Sequence, residues 1–381
     1  MVRTSPSPAD RRLIDLAGQR GIQVSARHLE RWRSRPNPLL PSHHREYPGQ
    51  PSGGSSSTAD DRLVDLVIWL ARHRRPGADR GHLALRAFGA GLPVPEETVR
   101  AAFIRAPHEV ADQLHRGFGP LPEDGDLEDW VHDGADAMAG SRERRPTAVD
   151  RRLGKIDRQV GALLKPAAAE FAAKFDPGAS QAEALDRTGR HYHAAVAVMA
   201  GPGELAPDTL AGYARGLVDG GMPQWPAHLL ETDPGDPLAA VTADPPHQLP
   251  DLPSNNAANH LFSIARDATT ARLRAAWTAA GQIPGWAEEI CAATESELTA
   301  GQPAKAVERW AMGMVFPVDR VFLAIGLAEP APTPGQQAST ALNLLFMTDA
   351  TNATLRITDD DGRATMRRLA PPFLLGLLEM G

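Results

Sequence analysis

The first thirty-five residues carry a clear helical pattern of apolar and polar positions. Leu13, Leu16 and Ala17 fall on one side of a helix predicted for residues 10–20, and charged residues occupy the other side. Gly21 follows, and glycine readily takes the left-handed conformation that ends many helices. The pattern therefore predicts a first helix that ends in a tight turn.

A second helix is predicted directly after that turn. Ser25 stands where an N-cap belongs, because its hydroxyl can accept a hydrogen bond from the free backbone donors of the next turn. The helix should run over residues 26–35 and stop before Pro36, since the residue before a proline is disfavoured in the helical conformation. Leu29 and Trp32 lie three residues apart and should pack on the first helix.

The opposite face of this second helix is basic. Arg27 and Arg31 lie four residues apart and should point outward together. Arg33 and Arg35 add two more positive charges to the same segment. This placement predicts a strongly basic, solvent-facing helix.

Helical patterns continue to about residue 105. Thr58 and the acids Asp60 and Asp61 read as the start of a third helix, with a capping hydroxyl and favourable charges in its first turn. Its buried stripe would comprise Leu63, Leu66, Val67 and Leu70, and Pro76 and Gly77 would end it. A fourth helix is predicted for residues 79–88, and a fifth begins after Pro93.

The remainder of the chain is also predicted to be helical. The pattern runs from Thr147 to about Phe175, and further helices are predicted at 180–200, 207–219, 257–280, 285–299, 303–312, 334–347 and 364–379. The proline-rich stretch 225–256 is typical of a surface loop or a linker. Residues 353–358 alternate like a short strand and lead into a predicted turn at Asp359-Asp360-Asp361-Gly362.

These patterns define a fold class and a domain organisation. A chain of 381 residues suggests two or three units. We expect a mainly α protein with an N-terminal winged helix-turn-helix domain over residues 1–105. A connecting segment would span 106–150, and a larger acidic, all-helical domain would occupy 151–381.

Charge is distributed unevenly between these parts. The whole chain has a net charge of −7, yet the first 105 residues hold 17 arginines and 10 acids, a net of +7. The other 276 residues therefore carry −14. A basic N-terminal part joined to an acidic remainder is the asymmetry expected when one part meets phosphates and the other does not.

The N-terminal residues resemble the MerR-like family of bacterial transcription regulators. The run Leu29-Glu30-Arg31-Trp32-Arg33, the exit Pro38-Leu39-Leu40-Pro41 and the stretch Arg45-Glu46-Tyr47 correspond to the second helix, its exit and the start of the wing in that family. The resemblance covers about the first quarter of the chain. It implies a recognition helix in the major groove of DNA, with a long wing over residues 49–57.

The candidate DNA contacts come from the second helix and the start of the wing. On the helix and its exit they are Ser25, Arg27, His28, Arg31, Arg33 and Arg35. In the wing they are His43, His44, Arg45 and Tyr47. The helix residues would read bases and nearby phosphates, whereas the wing residues would contact phosphate and sugar.

The sequence offers little to support catalysis or metal binding. Cys291 is the only cysteine, which excludes intrachain disulfides and zinc sites with several cysteines. His191 and His193 are two residues apart and would point to different faces of a helix. The Asp359–Asp361 run is better explained as a turn, and residues 123–126 have the wrong spacing for a calcium loop. We expect no cofactor, no metal and no enzymatic activity.

Membrane association and secretion are not expected either. No apolar run reaches the roughly 18 to 20 residues that cross a bilayer. The first residues, Met1 to Pro6, lack the apolar segment of a secretion signal. The sequence therefore predicts a cytoplasmic protein.

Two classes of function remain from the sequence. The first is a sequence-specific transcription regulator that binds double-stranded DNA. Its C-terminal helices would sense a small molecule, hold a protein effector or form a homodimer. The second is a helical protein–protein adaptor, or an enzyme of unrecognised class, in which the basic part is a docking module. Binding of duplex DNA that weakens steeply with salt would distinguish the first from the second.

Overall fold

Helices account for nearly all the regular structure. A computed structural model describes residues 6–42, 44–46, 56–58, 60–75, 77–118, 148–175, 257–315, 317–357, 364 and 370–378. Within these ranges twelve helices and one pair of short strands are present. The mainly α class predicted from the sequence is confirmed.

The elements fall into an N-terminal and a C-terminal group. Up to residue 118 they are α1 (Pro8–Gln19), α2 (Ala26–Arg33), β1 (His44–Glu46), β2 (Ser56–Thr58), α3 (Leu63–His73), α4 (Arg80–Gly89) and α5 (Glu96–Phe118). After it they are α6 (Ala148–Phe175), α7 (Ala257–Asp267), α8 (Thr270–Ala300), α9 (Lys305–Val315), α10 (Pro317–Ala328), α11 (Pro334–Ile357) and α12 (Pro372–Leu378).

The first two helices pack as their sequence pattern predicts. Leu29 is fully buried and Trp32 is 5% exposed, and both lie in one cluster with Leu13 and Ala17 of α1. Gly21 has a φ of 77°, a left-handed conformation that side chains other than glycine rarely adopt. Helices α3 and α4 complete this cluster, which we call the N-terminal core. Its buried members are Leu13, Ala17, Val24, Leu29, Trp32, Leu39, Leu40, Leu63, Val64, Leu66, Val67, Ile68, Leu70, Leu83, Ala84 and Ala87.

A short antiparallel strand pair follows α2. β1 and β2 are paired in register with His44 opposite Thr58 and Glu46 opposite Ser56. Thr58 therefore lies in a strand, and the prediction that it caps α3 was wrong. Helix α3 begins at Leu63 after a turn, and no side chain caps it. Pairing with residues fourteen positions away decides the conformation of Thr58, which local sequence could not show.

The C-terminal helices enclose a second core, which extends into the N-terminal group. Side chains of α4 and α5 pack there with α7, α8, α10, α11 and α12. Phe103 of α5 contacts both Phe88 of α4 and Trp277 of α8 edge-on, with ring centroids 6.0 and 6.2 Å apart. We call this cluster the C-terminal core. Its buried members from α4 and α5 are Leu85, Phe88, Val99, Ala102, Phe103 and Ala106.

Helix α6 attaches to the C-terminal helices through a smaller cluster. Ile156 and Val160 are buried against α8, α9 and α10. Around them, Arg152 hydrogen-bonds both Glu288 and Glu295 of α8, at 2.6 to 3.0 Å. These carboxylates raise the pKa of the Arg152 guanidinium. Ion pairs at this partly exposed position fix orientation more than they add stability.

The predicted boundary at residue 105 does not separate two packing units. Helix α5 runs continuously from Glu96 to Phe118, across that position. It packs extensively on α7 and α11, as α4 does on α8 and α11. The N-terminal part and the C-terminal helices therefore share a core, and charge segregation along the sequence did not reveal this.

Three predictions about the C-terminal helices were wrong in detail. Residues 257–280 do not form one helix, because α7 ends at Asp267 and Thr269 caps the start of α8. Helix α8 then continues through Pro284 instead of stopping there. The segment 353–357, predicted as part of a strand, belongs instead to α11, which remains helical to Ile357. Helix α10 was not predicted at all.

Helix α8 continues past Pro284 although the proline removes one backbone donor. Proline cannot donate a backbone hydrogen bond and crowds the preceding turn. Two turns earlier, the Gln337 side chain of α11 donates to the Trp277 carbonyl at 3.0 Å. A Cβ on Gly281 would lie 2.9 Å from that Gln337 amide nitrogen, so the glycine permits this close approach.

Several predictions concern residues that the structure does not describe. They are the helices at 180–200 and 207–219, the proline-rich stretch 225–256, His191, His193, the acidic residues 123–126 and Asp359–Asp361.

The shared core makes a prediction about fragments. A fragment of residues 151–381 lacks the side chains that α4 and α5 contribute to the C-terminal core. We therefore expect this fragment to unfold with poor cooperativity in urea, as measured by circular dichroism. A fragment of residues 77–381 keeps both helices and should unfold cooperatively. Equal cooperativity of the two fragments would contradict the shared core.

Candidate nucleic-acid interface

The start of α2 is fixed by a reciprocal pair of hydrogen bonds. The backbone N–H of His28 donates to Ser25 Oγ at 3.3 Å, and the backbone N–H of Ser25 donates to His28 Nδ1 at 3.4 Å. This is a capping box in which histidine takes the place of the usual glutamate or glutamine. The predicted capping role of Ser25 is confirmed.

The ring of His28 is held in a defined state. It stacks on Trp32, with ring centroids 5.9 Å apart. Partial burial lowers the pKa of His28, and the positive charges of Arg74, Arg31 and Arg27 lower it further. Because Nδ1 accepts a hydrogen bond, the neutral ring carries its proton on Nε2, where it can be donated.

Three guanidinium groups converge around this histidine. Arg27 and Arg31 are exposed on α2, as predicted. Arg74 is exposed at the end of α3 and is close enough to depress the pKa of His28. We call Arg27, His28, Arg31 and Arg74 the basic face.

The arginines of the basic face differ from five ion-paired arginines of the N-terminal part. Five arginines there form ion pairs with carboxylates: Arg12 with Asp61, Arg20 with Asp65, Arg33 with Asp10, Arg100 with Glu96, and Arg105 with Asp79 and Glu109. Within the described ranges, none of Arg27, Arg31 and Arg74 has such a partner. Like charges gathered without counter-ions repel one another, so this arrangement favours an anionic ligand.

Arg33 is not part of this exposed surface. Its side chain is 13% exposed and its Nη1 pairs with the Asp10 carboxylate of α1 at 2.6 Å. Its Nε donates to the Pro41 carbonyl at 3.2 Å. Arg33, a predicted DNA contact, lies one turn after the buried Leu29 and is covered by the exit segment and by α1.

The end of α2 also differs from the prediction. The helix stops at Arg33 and not at Arg35, and Ser34 is extended. Arg80, the first residue of α4, binds this end. Its Nη2 donates to the Arg31 carbonyl at 2.6 Å and to Ser34 Oγ at 2.8 Å, and its Nη1 donates to the Ser34 carbonyl at 3.0 Å. Arg35 is exposed just beyond.

The predicted wing residues are placed only in part. His44 and Arg45 lie in β1, whose backbone pairs with β2. His43 and Tyr47 lie outside the described residues. The strand pair follows α2 in the chain and β2 contacts α1.

Arg74 is the member of the basic face that sequence reasoning missed as a site residue. It stands 43 positions after Arg31, and its helical pattern marks it only as a charge in the last turn of α3. No local pattern indicates that this turn lies beside α2. A search for unpaired arginines at helix ends would have found it as one of several candidates.

The described residues offer no metal centre and no membrane-spanning helix. They contain no group of three or more His, Cys, Asp or Glu side chains that could bind a metal ion. Cys291 is buried in the cluster beneath α6. No helix in the described ranges combines the length and apolar character that crossing a bilayer requires.

Comparisons with protein-family models, with curated proteins and with solved structures give no match to this chain.

The Asp10–Arg33 pair predicts an asymmetric effect on stability. Asp10→Asn leaves a mostly buried guanidinium without its counter-charge, and breaking such a pair costs about 3 kcal/mol of unfolding free energy. Asp15→Asn is the matched control, because Asp15 is exposed on the same helix. Urea unfolding of the two variants measures the difference. Equal losses would show that the pair does not hold α1 against α2.

The His28 capping box predicts a dependence on pH. The pKa of His28 is lower in the folded protein, so the unfolded state binds more protons and stability falls as pH drops below about 6.5. The contribution is complete above that pH and is lost as pH falls through the lowered pKa. Titration of the ring by NMR should give a pKa below the ordinary value. His28→Gln should have a flatter stability profile from neutral to mildly acidic pH, and an unchanged profile would contradict this role.

Proposed function

We propose that this protein is a sequence-specific regulator that binds double-stranded DNA, with α2 as its recognition helix. The observation that carries the proposal is the basic face, where three exposed arginines without carboxylate partners lie near His28 of a rigidly held helix. Guanidinium groups suit this task, because they bind phosphate and the guanine edge through paired donors.

The orientation of α2 supports major-groove binding. Its buried side, Leu29 and Trp32, anchors it to α1, while Arg27 in its first turn and Arg31 in its last turn lie on the exposed side. In helix-turn-helix proteins the N-terminal residues of the second helix reach the base edges. The short turn from Gly21 to Ser25 joins the two helices in the same order.

The strand pair is consistent with a wing. β1 and β2 form a hairpin-like antiparallel pair directly after α2, and Arg45 is central in β1. In our proposal this pair contacts phosphate and sugar, together with Arg74 at the end of α3. Such contacts fix register on the duplex and carry no direct sequence information.

The C-terminal helices complete the proposal. Their residues carry a net charge of +2 spread over seven helices, so they attract DNA less than the basic face does. We assign them the effector role, through a small molecule, a partner protein or a second copy of the chain. Their common core with α4 and α5 connects that role to the DNA-binding part.

Substitution of single arginines tests the division of roles. Arg31→Ala should cost about 1 to 3 kcal/mol on a selected site and relax base preference there. Arg74→Ala and Arg45→Ala should weaken binding to all duplexes alike and reduce the salt slope by about one each. Site selection on random duplexes, followed by fluorescence anisotropy over a salt series, measures both effects.

Arg20→Ala is the control for net charge. It removes the same positive charge, but Arg20 is paired with Asp65. It should leave the salt slope unchanged. Equal, sequence-independent losses in Arg31→Ala and Arg74→Ala would show that α2 does not read bases. Absence of duplex binding at any salt concentration would overturn the proposed function.

A further inference from the structure

Helix α4 is the one element of the described structure that contributes buried side chains to both large cores. Leu83, Ala84 and Ala87 lie in the N-terminal core, whereas Leu85 and Phe88 lie in the C-terminal core. A helix of ten residues buried on two sides has little freedom to shift against either neighbour, because protein interiors are close-packed.

The start of α4 is attached to the proposed recognition helix. Arg80 spans from α4 to the end of α2 with three hydrogen bonds, of which two go to the backbone carbonyls of Arg31 and Ser34. The Arg31 carbonyl also accepts from the Ser34 backbone N–H at 3.3 Å and from the Ser34 hydroxyl at 2.7 Å. The planar guanidinium of Arg80 can make its three bonds together, which a lysine cannot. Arg80 therefore determines where the last turn of α2 lies relative to α4.

The same end of α4 is connected to the C-terminal helices. Asp79 caps α4 by accepting from the His82 backbone N–H at 2.9 Å, and it also binds Arg105 of α5 at 2.7 Å. Arg105 in turn binds Glu109 at 2.8 Å. The Glu109 carboxylate lies against Gly335 in the first turn of α11, where a helix favours negative charge.

At the other end of α4, Gly89 packs directly against Trp277 of α8. A Cβ on Gly89 would lie 2.1 Å from Trp277 Nε1, a distance that no real side chain could keep. A displacement of α8 along this contact must therefore move α4. Both ends of α4 are thus in contact with elements of the C-terminal core, so a shift of those helices would move α4.

From these contacts we infer that α4 transmits the arrangement of the C-terminal helices to α2, and that Arg80 is the positioning residue at the DNA-binding end. The inference rests on the proposed function. In this arrangement an effector that shifts α8 or α11 changes DNA affinity by reorienting α2. The effector need not contact the side chains of the basic face.

Arg80→Gln tests the positioning role in the full-length chain. Amide hydrogen exchange in the last turn of α2 and in the exit residues 34–40 should accelerate in the free protein, with little change in α1. Duplex affinity should fall about three- to tenfold, as the loss of charge-assisted bonds implies, while the salt slope stays unchanged because Arg80 touches no phosphate. Arg80→Lys should restore the charge but not the exchange protection.

Gly89→Ala tests transmission from the far end of α4. The added methyl group pushes α4 from Trp277 and should accelerate exchange at the end of α2, about 15 Å from position 89 along the helix. Gly18→Ala in α1 is the matched control, because open space surrounds that position. The effect of Gly89→Ala on α2 should largely disappear when Arg80→Gln is also present, since the connection is already broken.

The outcomes separate the inference from the proposed function. Unchanged exchange in α2 for Arg80→Gln would overturn the positioning role, whether or not the protein binds DNA. Additive effects of Gly89→Ala and Arg80→Gln would overturn transmission through α4. If exchange changes as expected but no duplex binds, the connection stands, and α2 then positions a surface for another ligand.

Discussion

The two-sided burial of α4 is the constraint on which the rest of the structure depends. Its ten residues supply apolar side chains to two cores, and the Phe88–Phe103–Trp277 ring contacts lock its far end against α5 and α8. Without α4, the helices that present the basic face and the C-terminal helices would share little more than the connection through α5. The described helices of both groups therefore pack as one unit.

In addition to this packing, ion pairing divides the arginines into those bound to a carboxylate and those without such a partner. Most of those that bridge elements are paired with a carboxylate, as Arg33 is with Asp10 between α2 and α1. These pairs hold helices in place and are unavailable to a ligand. The arginines of the basic face lack such partners in the described structure, and their mutual repulsion is the energetic reason for expecting an anion there. This pairing pattern is a stronger argument for binding than the number of arginines.

The sequence correctly predicted those features of the fold that depend on interactions between residues close in the chain. The Ser25 cap, the left-handed Gly21 and the burial of Leu29 and Trp32 follow from residues within one or two turns of each other, and all are observed. Where distant contacts decide, prediction failed. Thr58 pairs with His44 instead of capping a helix, and α11 stays helical through a segment with strand-like composition.

The candidate site shows the same division. Arg27 and Arg31 could be placed from helical spacing alone, because that spacing sets which residues share a face. The burial of Arg33, the approach of Arg74 to His28 and the binding of Arg80 to the end of α2 all join residues from different elements. Such contacts depend on tertiary packing, which spacing within one helix does not contain.

Hydrogen exchange of the full-length protein with and without duplex DNA tests the central claim most directly. At low salt, the account predicts protection of amides in residues 25–31 and around Arg74, and release of that protection when salt is raised. Helices α6–α12 should show no direct footprint from the duplex. Protection confined to those helices, or no change anywhere on addition of duplex, would contradict the assignment of the basic face as a DNA-binding surface.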